Sequence, residues 1–207
     1  MKDETDRALM MRFCATSGNC EFGVAQRTYG AEPLDLFRWS NAGIGPLIRI
    51  LYARFEGIGD PQHVTVDTLS NGEYRVRHTG FNFTWHAFAN VTRSSADEIK
   101  KREVNRLPFL ARKMIEDLRA GERVFVVKWG PRTPHGVDRK LLDAIRLYGR
   151  PQFLLVRDGA PLAVSRDEAT GFLWGSVPRF ADGSRVPVTT DAASWLRLCQ
   201  LVAACQM

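Results

Sequence analysis

Two short stretches constrain the fold of this chain more than any other feature of its sequence. Val124-Phe125-Val126-Val127 and Phe153-Leu154-Leu155-Val156 are apolar at every position. A strand with one wet face alternates apolar and polar residues, so a strand without alternation is read as buried on both faces. Between the two stretches lies a helical segment, residues 139–148, which opens after Asp138 and stops at Gly149. Strand, helix and strand in that order predict helices packed over a sheet.

The flanking sequence extends the pattern. Residues 12–16 read as a first strand and residues 21–29 as a helix stopped by Gly30. Residues 45–55 read as a second helix whose apolar side is Leu47, Ile48, Ile50, Leu51 and Phe55. Residues 63–69 and 74–78 flank Ser70-Asn71-Gly72, a strong hairpin signal. Residues 81–88 alternate, with Phe81, Phe83 and Trp85 on one face and Asn82, Thr84 and His86 on the other. Ser94 or Ser95 caps a long helix that ends near Gly121, and Pro108 inside it predicts a kink or a break. A strand near 172–177 and a last helix after Asp191 complete the series. The expected fold is α/β: one domain over residues 1–207, a three-layer sandwich with a mixed, mostly parallel sheet and a β-hairpin insertion.

Composition narrows the function classes. With 207 residues, 44% of them hydrophobic, the core needs neither disulfides nor a metal to be stable. No apolar run reaches the roughly 18 residues of a membrane span. The acidic start Met1-Lys2-Asp3-Glu4-Thr5-Asp6 lacks an apolar segment, so no secretory signal is expected and the reading is cytoplasmic. The net charge of +6 is uneven: residues 93–157 hold sixteen Lys and Arg against eight Asp and Glu. No zinc-finger, RNA-binding aromatic or basic-zipper pattern accompanies that surplus, so nucleic acid is not expected as a partner. Neither a metal site nor a cofactor motif is found.

The four cysteines, Cys14, Cys20, Cys199 and Cys205, include no CxxC pair. Cys14 sits in an apolar stretch, and Cys199 and Cys205 share a helix face with Val202, so all three are expected to pack in the core. Cys20 differs. It lies in Thr16-Ser17-Gly18-Asn19-Cys20-Glu21-Phe22-Gly23, after a strand and at the start of a helix, where α/β folds place their sites. A helix N-terminus offers free N–H groups and partial positive charge, which favour a thiolate and can hold an oxyanion. Cys20 is therefore the candidate nucleophile, and His86, on the polar face of an aromatic strand, is its candidate base. Asp138, Asp158 and Asp191 remain open as a third group. Asn19 and Glu21 flank the thiol. Arg38 and Asn41 follow in the next loop, while Arg102 and Arg106 share a helix face four residues apart. These six are the expected substrate contacts.

The segment Gly18-Asn19-Cys20-Glu21-Phe22-Gly23, with Gln26-Arg27, Glu32-Pro33-Leu34 and Phe37-Arg38-Trp39, resembles a bacterial family of unknown function whose members bear the name of papain-like cysteine peptidases. The resemblance spans roughly residues 12–157. It aligns Cys20, the 33–39 segment, His86, the helix with Arg102 and Arg106, and the apolar strand from Val124. It implies a Cys–His hydrolase or acyltransferase acting on an amide or ester bond of a small-molecule, glycan or peptide substrate, expected to be anionic. The Cys-Gly-Ser-Cys-Trp sequence of papain-type enzymes is absent, and the strand–helix alternation suits a doubly wound sheet. The competing reading is a non-catalytic α/β module that grips an anionic or carbohydrate ligand with Arg38, Arg102 and Arg106, with Cys20 structural.

Overall fold

The structure, a computed structural model, describes residues 5–130, 133–181 and 190–205, so the acidic start lies mostly outside it. In chain order the elements are α1 (Asp6–Met11), β1 (Phe13–Ala15), α2 (Glu21–Thr28), β2 (Ser40–Asn41), α3 (Ile44–Tyr52), β3 (Val64–Thr68), β4 (Glu73–His78) and β5 (Phe83–Asn90). Then follow α4 (Ala96–Ala120), β6 (Val124–Lys128), α5 (Val137–Arg146), β7 (Gln152–Asp158), β8 (Ala163–Arg166), β9 (Leu173–Val177) and α6 (Ala192–Ala204).

The two apolar stretches form the centre of a five-stranded sheet of order β1-β6-β7-β9-β8. Its first three pairings are parallel, and only β8 runs antiparallel to β9. Burial follows period two. Val124, Val126, Leu154 and Val156 pack on one face with α1, α2 and α6. Phe125, Val127, Phe153 and Leu155 pack on the other with α3, α4 and α5. The lack of alternation thus reports two covered faces, and the chain has the expected α/β architecture with a mixed, mostly parallel sheet.

The insertion is larger than a hairpin. β3, β4 and β5 join with β2 in a second, antiparallel sheet of order β2-β5-β4-β3. The Asn71-Gly72 turn behaves as its sequence predicts, with Gly72 at φ 79° and its N–H on the Leu69 carbonyl at 2.9 Å. β2 is only two residues long, but it pairs with β5 through Ser40–Trp85 and Asn41–Thr84. Immediately after it, Ala42 exchanges backbone hydrogen bonds of 2.7 and 3.0 Å with Gly18. That bridge ties the loop leaving the parallel sheet to the antiparallel one.

Three local expectations are corrected. α4 runs unbroken through Pro108; a Cβ built on Gly59 would lie 2.5 Å from the proline ring, so the two segments are in tight contact there. Asp138 lies in the first turn of α5, and the cap is Gly136 in the left-handed conformation. Cys205 is exposed at the end of α6, whereas Cys14 and Cys199 are buried. The sequence reading also missed α1, which Thr5 caps by accepting from the Ala8 N–H at 3.2 Å.

Candidate active site

Cys20 is the N-cap residue of α2. The loop before it leaves β1, turns at Gly18 and is held to β2 by the Gly18–Ala42 bridge. A Cβ on Gly18 would lie 2.8 Å from Lys128 Cδ, so glycine lets the lysine at the end of β6 pass under this loop. Lys128 Nζ donates to Asn19 Oδ1 at 2.9 Å and pairs with the Glu21 carboxylate. Glu21 is fully buried and also accepts from Trp195 Nε1 at 3.0 Å and Thr190 Oγ1 at 3.4 Å. Asn19 Oδ1 further accepts from the Glu21 N–H at 3.2 Å. Asn19 and Glu21 are therefore bonded beneath the thiol, and neither lines the cleft described below.

His86 lies on β5, on the face that Trp85 does not share: Trp85 is buried and His86 half-buried. Its backbone N–H reaches the Trp39 carbonyl at 3.4 Å, and its Nδ1 is 2.9 Å from Glu73 Oε1. In the neutral ring an Nδ1–H donated to the Glu73 carboxylate leaves the Nε2 lone pair as an acceptor. Glu73 is the acidic partner that sequence reasoning missed. None of Asp138, Asp158 and Asp191 lines the cleft; Asp191 caps α6 on the Ser194 N–H at 3.1 Å. The signal for Glu73 lay in the strand period. His78 pairs with Phe83 and Arg75 with His86, so Glu73, two residues before Arg75, shares the His86 face as its diagonal neighbour.

Cys20, His86 and Glu73 line one cleft of about 940 Å³. Val24, Arg27, Trp39, Phe88 and Ala89 form its apolar and cationic walls, and Asn71, Asn90, Thr92 and Arg93 complete it. Burial pushes the Cys20 thiol above its ordinary value; its backbone hydrogen bond and the Lys128 ammonium pull the other way, while Glu21 adds to the rise. The expected lowering by the helix N-terminus is thus outweighed by desolvation. At neutral pH the group is a thiol that needs a base, not a resting thiolate.

The other expected contacts lie elsewhere. Arg38 is buried, pairs with Glu32, donates to the carbonyls of Ala31 at 2.8 Å and Gly23 at 3.3 Å, and so fastens the 31–39 loop to α2. In the same loop Asp35 pairs with Arg123 at 3.0 Å. Asn41 is exposed on β2. Arg102 and Arg106 meet the buried Glu103, at 2.7 and 3.5 Å, and Arg102 also donates to the Ala87 carbonyl at 2.7 Å. The remaining histidines are outside the cleft: His63 and His135 are exposed, and His78 stacks on Phe83 in the core, 5.4 Å between ring centroids.

Among the described residues no group of three His, Cys, Asp or Glu converges to hold a metal, and no helix is long and apolar enough to cross a membrane. The fold and the cleft define an α/β protein with a thiol, an imidazole and a carboxylate facing one cavity. Compared with known proteins, the chain matches no family model, no curated protein and no solved structure.

Proposed function

We propose that the chain is a cysteine hydrolase or acyltransferase acting on an amide or ester bond, with Cys20 as nucleophile, His86 as base and Glu73 as the group that orients His86. The observation that carries this reading is the shared cleft: Cys20 at the start of a helix and His86, held through Nδ1 by Glu73, line the same cavity. His86 Nε2 takes the thiol proton as Sγ attacks the carbonyl carbon, and the same proton then passes to the leaving amine or alcohol. The Glu21 N–H is taken by Asn19 and the Val24 N–H by the Cys20 carbonyl, so the N–H groups of Phe22 and Gly23 between them are the donors for the oxyanion. Water or a second acceptor attacks the thioester and loses its proton to His86; the C–S bond breaks, and the Cys20 thiolate takes that proton from His86. The reading takes a small-molecule, glycan or peptide substrate in a reducing cytoplasm, in line with the four free thiols and with the resemblance to a bacterial cysteine-peptidase-like family.

The test is trapping of the acyl intermediate. The protein is incubated with a panel of p-nitrophenyl esters and anilides and analysed by peptide mass mapping. The expected result is an acyl adduct on Cys20, with turnover lowered by about 10²–10⁴-fold in His86→Ala and lowered to a smaller extent in Glu73→Gln. Acylation at Cys205 alone, or turnover unaffected by both variants, would sink the proposal.

A further inference from the structure

The cleft contains features that thiol chemistry alone does not call for. Phe88 is 57% exposed on β5, and its backbone is left-handed at φ 51°, a conformation strained for any residue with a Cβ. The cause is a bulge. Glu73 pairs with Asn90 and Arg75 with His86, so Tyr74 alone faces the three residues Ala87, Phe88 and Ala89. Glycine would adopt that conformation freely. Instead the bulge carries an aromatic ring between His86, 6.1 Å between centroids, and Trp39, edge-on at 5.3 Å. Charge adds a second observation. Arg27 pairs with Glu32, and Glu73, the one carboxylate lining the cleft among the described residues, is held by His86. Arg93 lines the same cleft and has no ion-pair partner among the described residues.

We infer that the cleft binds an amphipathic anion: an acyl compound whose aryl or alkyl group lies on Phe88, which Trp39 backs, and whose carboxylate or phosphate pairs with Arg93. Planar guanidinium geometry suits either anion, and an exposed ring beside a catalytic imidazole gives an apolar group a surface next to the scissile carbonyl. The inference rests on the Cys20–His86 reading for the position of that carbonyl; binding itself does not require the thiol.

Isothermal titration calorimetry on full-length Cys20→Ser protein tests it. The probes are N-acetylphenylalanine, its neutral amide, N-acetylglycine and phenyl phosphate. The expected result is that N-acetylphenylalanine or phenyl phosphate binds about tenfold more tightly than the amide and N-acetylglycine, and the tighter of the two names the anion. Arg93→Gln should abolish the discrimination by charge. Phe88→Gly should abolish the discrimination by ring while keeping or raising the melting temperature, since it relieves the strained backbone. Equal affinity for all four probes, or discrimination that survives both substitutions, overturns the inference. If instead Cys20 alkylation proves independent of His86, the enzyme reading falls and these affinities are untouched, so the two failures are distinguishable.

Discussion

Among the described residues Glu21 and Glu103 are wholly buried, Glu21 next to Cys20 and Glu103 behind the strand that carries His86, and they are held differently. Glu21 adjoins the thiol. It receives an indole N–H from Trp195 and a single ammonium from Lys128, itself nearly buried. Glu103 stands behind the imidazole strand. It receives an indole N–H from Trp85, at 2.9 Å, and two half-exposed guanidinium groups from Arg102 and Arg106. Both carboxylates are satisfied by the same chemistry, a tryptophan and a cation, but only the second has a cation in reserve. A buried charge that loses its only counter-ion has nowhere to place its field. One with a second guanidinium at the protein surface can relax toward it and toward water. The thiol loop is therefore the brittle half of the cleft and the imidazole strand the forgiving half.

Substitutions at the cations would break or sharpen that contrast. The largest effect is expected for Lys128→Met, which leaves Glu21 buried without its ammonium: a loss of about 3–5 kcal/mol in denaturant unfolding, partly recovered when Glu21→Gln is added. A loss below about 1 kcal/mol would show that Glu21 finds another partner. Next come the two buried thiols. Burial raises the Cys199 and Cys14 thiols above their ordinary value of 9.0. Their folded values exceed the unfolded ones, so this contribution to stability is complete below about pH 9 and is lost as pH climbs toward the folded values. Each group should cost about 1.4 kcal/mol per pH unit above that point, and Cys199→Ala should flatten the alkaline decline in melting temperature even though it lowers stability at neutral pH. Arg102→Gln, which also gives up the Ala87 carbonyl, is expected to cost about 1 kcal/mol. Arg106→Gln, at 3.5 Å and 41% exposed, should stay under about 0.5 kcal/mol. Equal losses at Arg106 and Lys128 would erase the distinction between the two halves.

The parts of the molecule that could be read from sequence are those governed by a local period or a local cap. The unbroken apolar stretches at β6 and β7 reported two covered faces, the alternation of β5 placed Trp85 inside and His86 on the opposite face, and Ser95 and Asp191 cap the helices they precede. What escaped depends on partners distant in the chain. Asn19, Glu21, Arg38, Arg102 and Arg106 all look like ligand-binding groups in sequence. Each is bonded within the protein, to Lys128, Trp195, Glu32 or Glu103, and no local pattern announces such a pairing. Conversely, Arg27 and Trp39 stand out only through the resemblance, and Arg93 carries no signal of its own. Trp39 reaches the cleft because it precedes β2, which joins β5, and Phe88 lines it on the His86 face of β5. The rise in the Cys20 pKa follows the same rule, since the helix start is visible in sequence and the burial that outweighs it is not.

The account stands on Cys20 and His86 acting as a pair, and the pH dependence of Cys20 alkylation tests that most directly. The rate of carbamidomethylation at Cys20 would be followed by peptide mass mapping across the neutral and alkaline range in the parent protein and in His86→Ala, with exposed Cys205 as the internal reference. Because burial raises the Cys20 pKa, an isolated thiol there would react only on an alkaline limb above its ordinary value. The account predicts an additional neutral limb in the parent protein that disappears in His86→Ala while the Cys205 profile stays unchanged. Superimposable Cys20 profiles in the two proteins would contradict it.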